Sequence, residues 1–213
     1  MMFSALFSII PLVAALPASH HSSKSSNGAF GVIAAHSGSP IHLEPLTASG
    51  SNFWLGGKSA TYCPSEVVPN CPNSTETVIY GEHYLDVEVP GGQAIYVDPR
   101  GALRFTQAHS AYEPTGSSQG PFVYTPPSSP SSSFGYWSYT GWGASGFMAC
   151  PVPAKNATAA PFRSRAATAA TKYQVFAALR NATVPTGNVN DCLGFDALAV
   201  PANSTKGMAW QYV

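Results

Sequence analysis

From residue 30 onwards, the chain alternates short apolar runs with polar segments. Gly, Pro, Ser and Asn separate the runs, a pattern typical of short strands joined by turns. Within one run, Leu85, Val87 and Val89 share a face. Asp86 and Glu88 share the opposite face, which predicts a strand with one buried and one solvated side. The runs rich in β-branched and aromatic residues are 30–34, 41–46, 52–55, 77–80, 84–89, 94–97 and 103–106.

Turn sequences join the last three runs. Pro90-Gly-Gly-Gln93 follows the first of them and Asp98-Pro-Arg-Gly101 follows the second, and residues of these types favour chain reversal. The three strands are therefore predicted to form a meander. A further strand is predicted over residues 173–179, where the Ala-Ala-Leu sequence also leaves a short helix open.

These segments together predict an all-β fold. The regular spacing of short strands favours a single antiparallel β-sandwich or a small closed barrel, with a β-trefoil-like fold as the alternative. We assign residues 30–213 to one β-rich domain. Within it, the Pro/Ser-rich segment 112–133 is predicted to be an exposed loop that forms neither ladder nor helix, and 154–171 to be an Ala/Thr-rich insert.

The N-terminal residues indicate secretion. An apolar run over residues 3–16 ends in small residues near Ala18, which predicts a signal peptide at 1–18. This run is shorter than a transmembrane helix and contains Pro11, so no membrane association is expected after cleavage. Residues 19–29 are predicted to form a flexible polar arm.

Composition and charge narrow the choice of partners. Hydrophobic residues make up 45% of the chain and charged residues only 9%, so Ser, Thr, Asn and Gly must cover much of the surface. The formal net charge is zero, which removes the main electrostatic reason to expect a nucleic-acid partner.

Four cysteines in an oxidising compartment predict two disulfides, although three connectivities are possible. Cys63 and Cys71 bound a short Pro-containing segment, which favours pairing them. Cys150 then pairs with Cys192 by elimination. A zinc site is disfavoured because no cysteine pair has zinc-finger spacing.

Four Asn-X-Thr sequons predict N-glycosylation and therefore surface exposure in a secreted chain. They begin at Asn73, Asn156, Asn181 and Asn203.

A cluster of aromatic residues supplies a candidate glycan-stacking surface. Its members are Tyr136, Trp137, Tyr139 and Trp142. Aromatic faces suit the apolar faces of sugar rings, but large aromatic residues also dominate protein cores, so core packing is the competing interpretation.

No catalytic or metal site is predicted, and no cofactor. Asp86 and Glu88 could form a glycosidase pair, but solvation of a strand face explains them. His42 and His109 are interpreted as structural histidines. Ser19-His20-His21 could bind Cu(II) at a newly cleaved N-terminus, against the simpler interpretation of a polar linker.

Several motifs, in this order, resemble the PhiA family of fungal cell wall proteins: Ser37-Gly-Ser-Pro-Ile-His42, Phe53-Trp-Leu-Gly-Gly57, Tyr62-Cys-Pro64, Val89-Pro-Gly-Gly-Gln93, Phe105-Thr-Gln-Ala-His-Ser110 and Cys192-Leu-Gly-Phe195. The resemblance implies a secreted wall protein, associated with phialide and conidium development and with stress protection. Its expected partners are wall polysaccharide or other wall proteins. The alternatives are a small polysaccharide-active enzyme and a lectin-like glycan-binding module.

Overall fold

The structure, a computed structural model, describes residues 28–129, 131–153, 172–202 and 208–213. Strands and turns dominate these residues, so the predicted all-β class is confirmed. Short 3-10 turns lie at Gly141–Gly143 and Val189–Asp191. The strands are β1 (Ala29–Ala35), β2 (Leu46–Ser49), β3 (Asn52–Leu55), β4 (Thr61–Tyr62), β5 (Ile79–Tyr80), β6 (Tyr84–Leu85), β7 (Ile95–Val97), β8 (Leu103–Phe105), β9 (Phe122–Thr125), β10 (Gly135–Tyr139), β11 (Phe147–Val152), β12 (Lys172–Ala177), β13 (Leu193–Pro201) and β14 (Gln211–Tyr212).

Strand β13 joins two halves of the main sheet because its two ends have different neighbours. Its C-terminal part is antiparallel to β1, with Phe30 opposite Pro201, and also pairs with β10. Its N-terminal part pairs with β11, where Phe195 lies opposite Phe147. One half therefore contains β6, β5, β1, β10 and β9, and the other contains β11, β12, β3, β2, β8 and β7.

The fold is sandwich-like, so of the predicted architectures the closed barrel is wrong. The two end strands of the sheet, β6 and β7, meet through an isolated bridge between Tyr84 and Ala94 instead of a continuous ladder. Strands β4 and β14 form a separate pair.

Aromatic side chains from both halves meet in one core. The Trp137 ring lies 5.5 Å from Phe122 and 4.6 Å from Phe147, measured between ring centroids. Its indole N–H donates to the Glu82 carbonyl at 2.8 Å, so burial of the ring leaves its polar atom paired. Aliphatic and further aromatic side chains complete this core, including Val32, Leu46, Phe53, Ile79, Leu103, Phe105, Val175 and Phe195.

The predicted meander and its alternating strand are largely confirmed. Strands β6, β7 and β8 follow one another antiparallel. Leu85 and Val89 are buried while Asp86 and Glu88 are only partly so. The ladder at β6 is shorter than predicted, because after Leu85 the backbone bonds to Val78, Ala209 and Trp210 instead.

Two predictions about local structure are wrong. Residues 41–43 form a turn, not a strand: Leu43 has φ +65° and Glu44 N–H bonds to the Ile41 carbonyl. Segment 112–133 does contain a strand, since β9 pairs with β10 and buries Phe122. The helix left open near residue 177 is replaced by the last residues of β12.

Both disulfides are present. Cys63 is bonded to Cys71, and Cys150 to Cys192. These are the pairings favoured by the sequence, and the described residues leave no cysteine free for a zinc site.

Tyr212 on β14 is almost fully buried and lies between two backbone groups. Its hydroxyl donates to the Glu76 carbonyl at 2.8 Å and accepts from the Val78 N–H at 3.2 Å. Burial raises the pKa of Tyr212 far above the ordinary value of about 10. The neutral phenol is thus the form that the fold requires.

We expect stability to fall as the pH rises above about 10, because unfolded tyrosine then ionises while Tyr212 stays protonated. The raised folded pKa means that the stabilisation is complete below that pH and is lost progressively above it. Urea unfolding between pH 8 and 11 measures this loss. Tyr212→Phe should make the free energy of unfolding less pH-dependent, and an unchanged slope would contradict the assignment.

Candidate functional site

Strand alternation divides the four candidate stacking rings. Trp137 and Tyr139 are 2% and 0% exposed and belong to the core, so their proposed contact with sugar is wrong. Tyr136 is 51% exposed on the opposite face of β10, and Trp142 is 50% exposed in the turn that follows. Consecutive strand residues point to opposite faces, which is why the four rings cannot share one surface.

The polar residues weighed for catalysis lie apart from the grooves described below. Asp86 and Glu88 are partly buried near the C-terminal residues, where Asp86 C=O accepts from Met208 N–H at 3.1 Å. His42 is exposed and its Nδ1 accepts from the His36 N–H at 3.2 Å, a structural role. His109 is exposed in a left-handed backbone conformation.

Across the described ranges, no three His, Cys, Asp or Glu side chains converge as a metal site would require. His20 and His21, the candidate copper ligands, lie outside those ranges.

Two of the predicted sequons can be placed. Asn73 and Asn181 are exposed. Asn156 and Asn203 lie outside the described residues, and glycosylation at all four stays a prediction.

A polar groove lies on the outer face of the half that contains β12, β3 and β8. Its floor is formed by Asn52, Arg104 and Gln174, one from each strand. Asn52 lies opposite Arg104 in the ladder, and Gln174 Nε2 donates to Asn52 Oδ1 at 2.9 Å. Their sequence neighbours point into the core, so alternation turns these three side chains outward. We call this the outer groove; its volume is about 370 Å³.

The loop after β12 forms the wall of the outer groove at Thr183, Val184 and Pro185. Val184 is buried and anchors the loop to the sheet. The Thr183 N–H bonds to the Arg100 carbonyl at 2.8 Å. Beneath the loop is a small second core of Ala102, Met148, Cys150, Phe176 and Val184. The Cys150–Cys192 bridge therefore holds the wall in place.

Two arginines give the outer groove its charge. The buried Asp98 carboxylate lies 3.6 Å from Arg100 and 3.9 Å from Arg104. Asp98 also accepts the backbone N–H groups of Arg100 and Ala102. Two cations against one buried anion leave a net positive charge and place guanidinium donors beside the Asn52 and Gln174 amides.

A second, smaller pocket continues from Arg100. Trp142 and Asn181 both line this space of about 230 Å³, which we call the Trp142 pocket. Trp142 has a left-handed backbone, with φ +53°, and its ring makes an edge-to-face contact with Tyr139 at a centroid distance of 6.4 Å. Pro99, Gly101, Gly116, Leu179 and Ala182 complete the lining.

Sequence reasoning missed the outer groove. Asn52, Arg104 and Gln174 come from distant segments, and each is an ordinary polar residue in an alternating strand. Only the ladder register brings them side by side.

No helix among the described residues combines the length and apolar character that a membrane-spanning segment needs.

Fold and site together define a class, that of disulfide-bonded all-β proteins with a polar, hydrogen-bonding groove on the outer face of the sheet. The model of the PhiA-like secreted protein family matches residues 30–213, and the chain belongs to this family. It is similar to an uncharacterized secreted protein of Arthroderma benhamiae, with 46% identity over 168 residues, 79% of this chain and 77% of the relative. No solved structure matches. The protein is thus a secreted fungal protein from a family not known for enzymes.

Proposed function

We propose that this protein is a non-catalytic component of the fungal cell wall that binds wall polysaccharide through the outer groove. The observation that carries the proposal is the row of half-buried Asn52, Arg104 and Gln174 side chains that line the groove on the outward face of the sheet. The wider role proposed, in phialide and conidium formation and in stress protection, is supported by the resemblance to wall proteins and by membership of the secreted family.

The chemistry of the outer groove suits sugar hydroxyls. Asn and Gln amides offer both donors and acceptors, and arginine offers a fork of donors. Neighbouring hydroxyls on a pyranose can therefore pair with adjacent floor residues. Trp54 lies opposite Gln174 in the ladder, next to the groove, and the Lys172 ammonium lies over its ring at 5.6 Å from the centroid.

The positions of the acidic side chains near the groove favour sugar binding over hydrolysis. Glycoside hydrolysis uses two carboxyl groups on opposite sides of the scissile bond. Among the described residues that line the outer groove there is no Asp or Glu. The nearby Asp98 is buried and already bonded to two backbone N–H groups.

We expect the double variant Asn52→Ala, Gln174→Ala to bind insoluble wall glucan about tenfold more weakly, since each lost hydrogen bond is worth about 0.5–1.5 kcal/mol. Co-sedimentation of the purified secreted protein with wall fractions measures the affinity. Gln107→Ala removes an exposed amide outside the groove and should bind like the wild type. Equal binding by all three proteins would refute the assignment of the groove.

The cellular role has its own test. A deletion strain should form fewer or malformed conidia, and the gene encoding Gln107→Ala should restore them. The groove variant should fail to do so although it is secreted normally. Normal conidiation in the deletion strain would rule out the developmental role. Polysaccharide binding by the outer groove would still be decided by the co-sedimentation assay.

A further inference from the structure

We propose that Asn181 carries an N-linked glycan whose first N-acetylglucosamine lies in the Trp142 pocket and stacks on the exposed indole. The sugar is thus a fixed part of the folded surface. This inference does not depend on polysaccharide binding by the outer groove. It concerns the neighbouring pocket and uses the protein's own modification as the ligand.

The first observation is the position of the sequon. Asn181 is exposed in a turn, is followed by Ala182 and Thr183, and lines the same pocket as Trp142. The chain is secreted, so it meets the transfer machinery of the secretory pathway. In that reaction the Asn181 amide nitrogen bonds to C1 of the first sugar and loses a proton. The lipid-linked diphosphate that carried the sugar leaves.

The second observation is the conformation of Trp142. A left-handed backbone is unfavourable for a residue with a side chain, at a cost of order 1 kcal/mol or more. The turn also requires Gly141, because a Cβ there would meet the Tyr139 hydroxyl. These constraints hold half of an indole in solvent, where it contributes little to the core. Strain at an exposed aromatic residue points to a ligand.

The third observation is the size of the pocket. Its volume of about 230 Å³ lies below the roughly 300–1,000 Å³ of typical small-molecule sites, which suits one sugar ring. The indole offers an apolar face to the ring and to its acetyl methyl group. The Arg100 guanidinium, also at the pocket, can donate to the acetamido carbonyl.

Covalent attachment explains why such a shallow pocket would be filled. A free sugar loses translational and rotational freedom on binding. A sugar linked to Asn181 has already lost most of this freedom, and it is held beside Trp142 at high effective concentration. Even a weak stacking contact is then populated.

The proposal is tested by a double-variant cycle on the secreted protein. Asn181→Gln removes the glycan, and Trp142→Asn removes the ring with a residue that tolerates the left-handed backbone. We expect Asn181→Gln to lower Tm by about 3 °C in the wild-type background and to have no effect in the Trp142→Asn background. Asn73→Gln is the matched control, because it removes a sequon outside the pocket and should give equal Tm changes in both backgrounds.

Two further measurements make the outcome decisive. Glycopeptide mass spectrometry should find Asn181 occupied. Trimming the glycan to one N-acetylglucosamine should keep the wild-type Tm, and with isotope-labelled sugar its acetyl methyl should show NOEs to indole protons. An unoccupied Asn181, equal Tm losses in both backgrounds, or an occupied site without indole NOEs would each overturn the proposal.

Discussion

Replacing Cys150 and Cys192 together by alanine should lower the free energy of unfolding by about 4 kcal/mol. The bridge spans a sequence separation of 42, and the chain-entropy model gives this magnitude for a loop of that length. Because typical domains are stable by only about 5–15 kcal/mol, secretion should fall sharply. The same change frees the loop that walls the outer groove, so the variant that is secreted should also bind glucan more weakly.

The Cys63–Cys71 bridge provides the control for this prediction. Cys63 and Cys71 have a sequence separation of 8, for which the same model gives about 2.6 kcal/mol, and their segment does not line the outer groove. Denaturant unfolding of both double variants measures the difference. A larger loss on removing the short bridge, or unchanged glucan binding without the long one, would contradict this account.

Gln93→Ala should lower the free energy of unfolding by about 3 kcal/mol. Gln93 is fully buried, and its Nε2 donates to the carbonyls of Thr106 and Tyr212 at 2.8 and 3.0 Å. Its Oε1 accepts the Tyr212 N–H at 2.8 Å. Alanine would leave these buried backbone groups without the side-chain partner that now pairs them.

Gln93→Met separates hydrogen bonding from packing, because it keeps most of the side-chain volume. We expect chemical denaturation to show a loss for Gln93→Met close to that for Gln93→Ala, while the exposed Gln107→Ala stays near the wild type. If Gln93→Met is as stable as the wild type, the side chain acts only by filling space.

Strands with clear alternation could be predicted from the sequence, and β3 was predicted with the bounds that the structure has. The strand predicted at 41–46 failed because apolar content alone cannot reveal a turn. Ile41 is buried as a single anchor, and Leu43 takes a positive φ. Strand β9 was missed because four residues between prolines give too little periodicity to detect.

The candidate site was much harder to predict than the fold. Alternation along β10 shows from the sequence that Tyr136 and Trp137 lie on opposite faces, but not which of the two faces is buried. No such rule leads to the outer groove, since the pairing of Asn52 with Arg104 depends on ladder register. The nearness of Asn181 to Trp142 likewise depends on a loop held by a disulfide and by Val184.

The position of β13 in the sheet has a consequence for biogenesis. Strand β13, which joins the two halves, is among the last to be synthesised, whereas its partner β1 is the first strand described. Phe30 can therefore pair with Pro201 only after most of the chain has been synthesised. Contacts this distant in sequence form slowly. Until β13 is synthesised, β1, β10 and β11 lack the strand that pairs with all three, and partly folded chains with unpaired strand edges aggregate readily. We therefore expect the two halves of the sheet to join only after β13 has been synthesised.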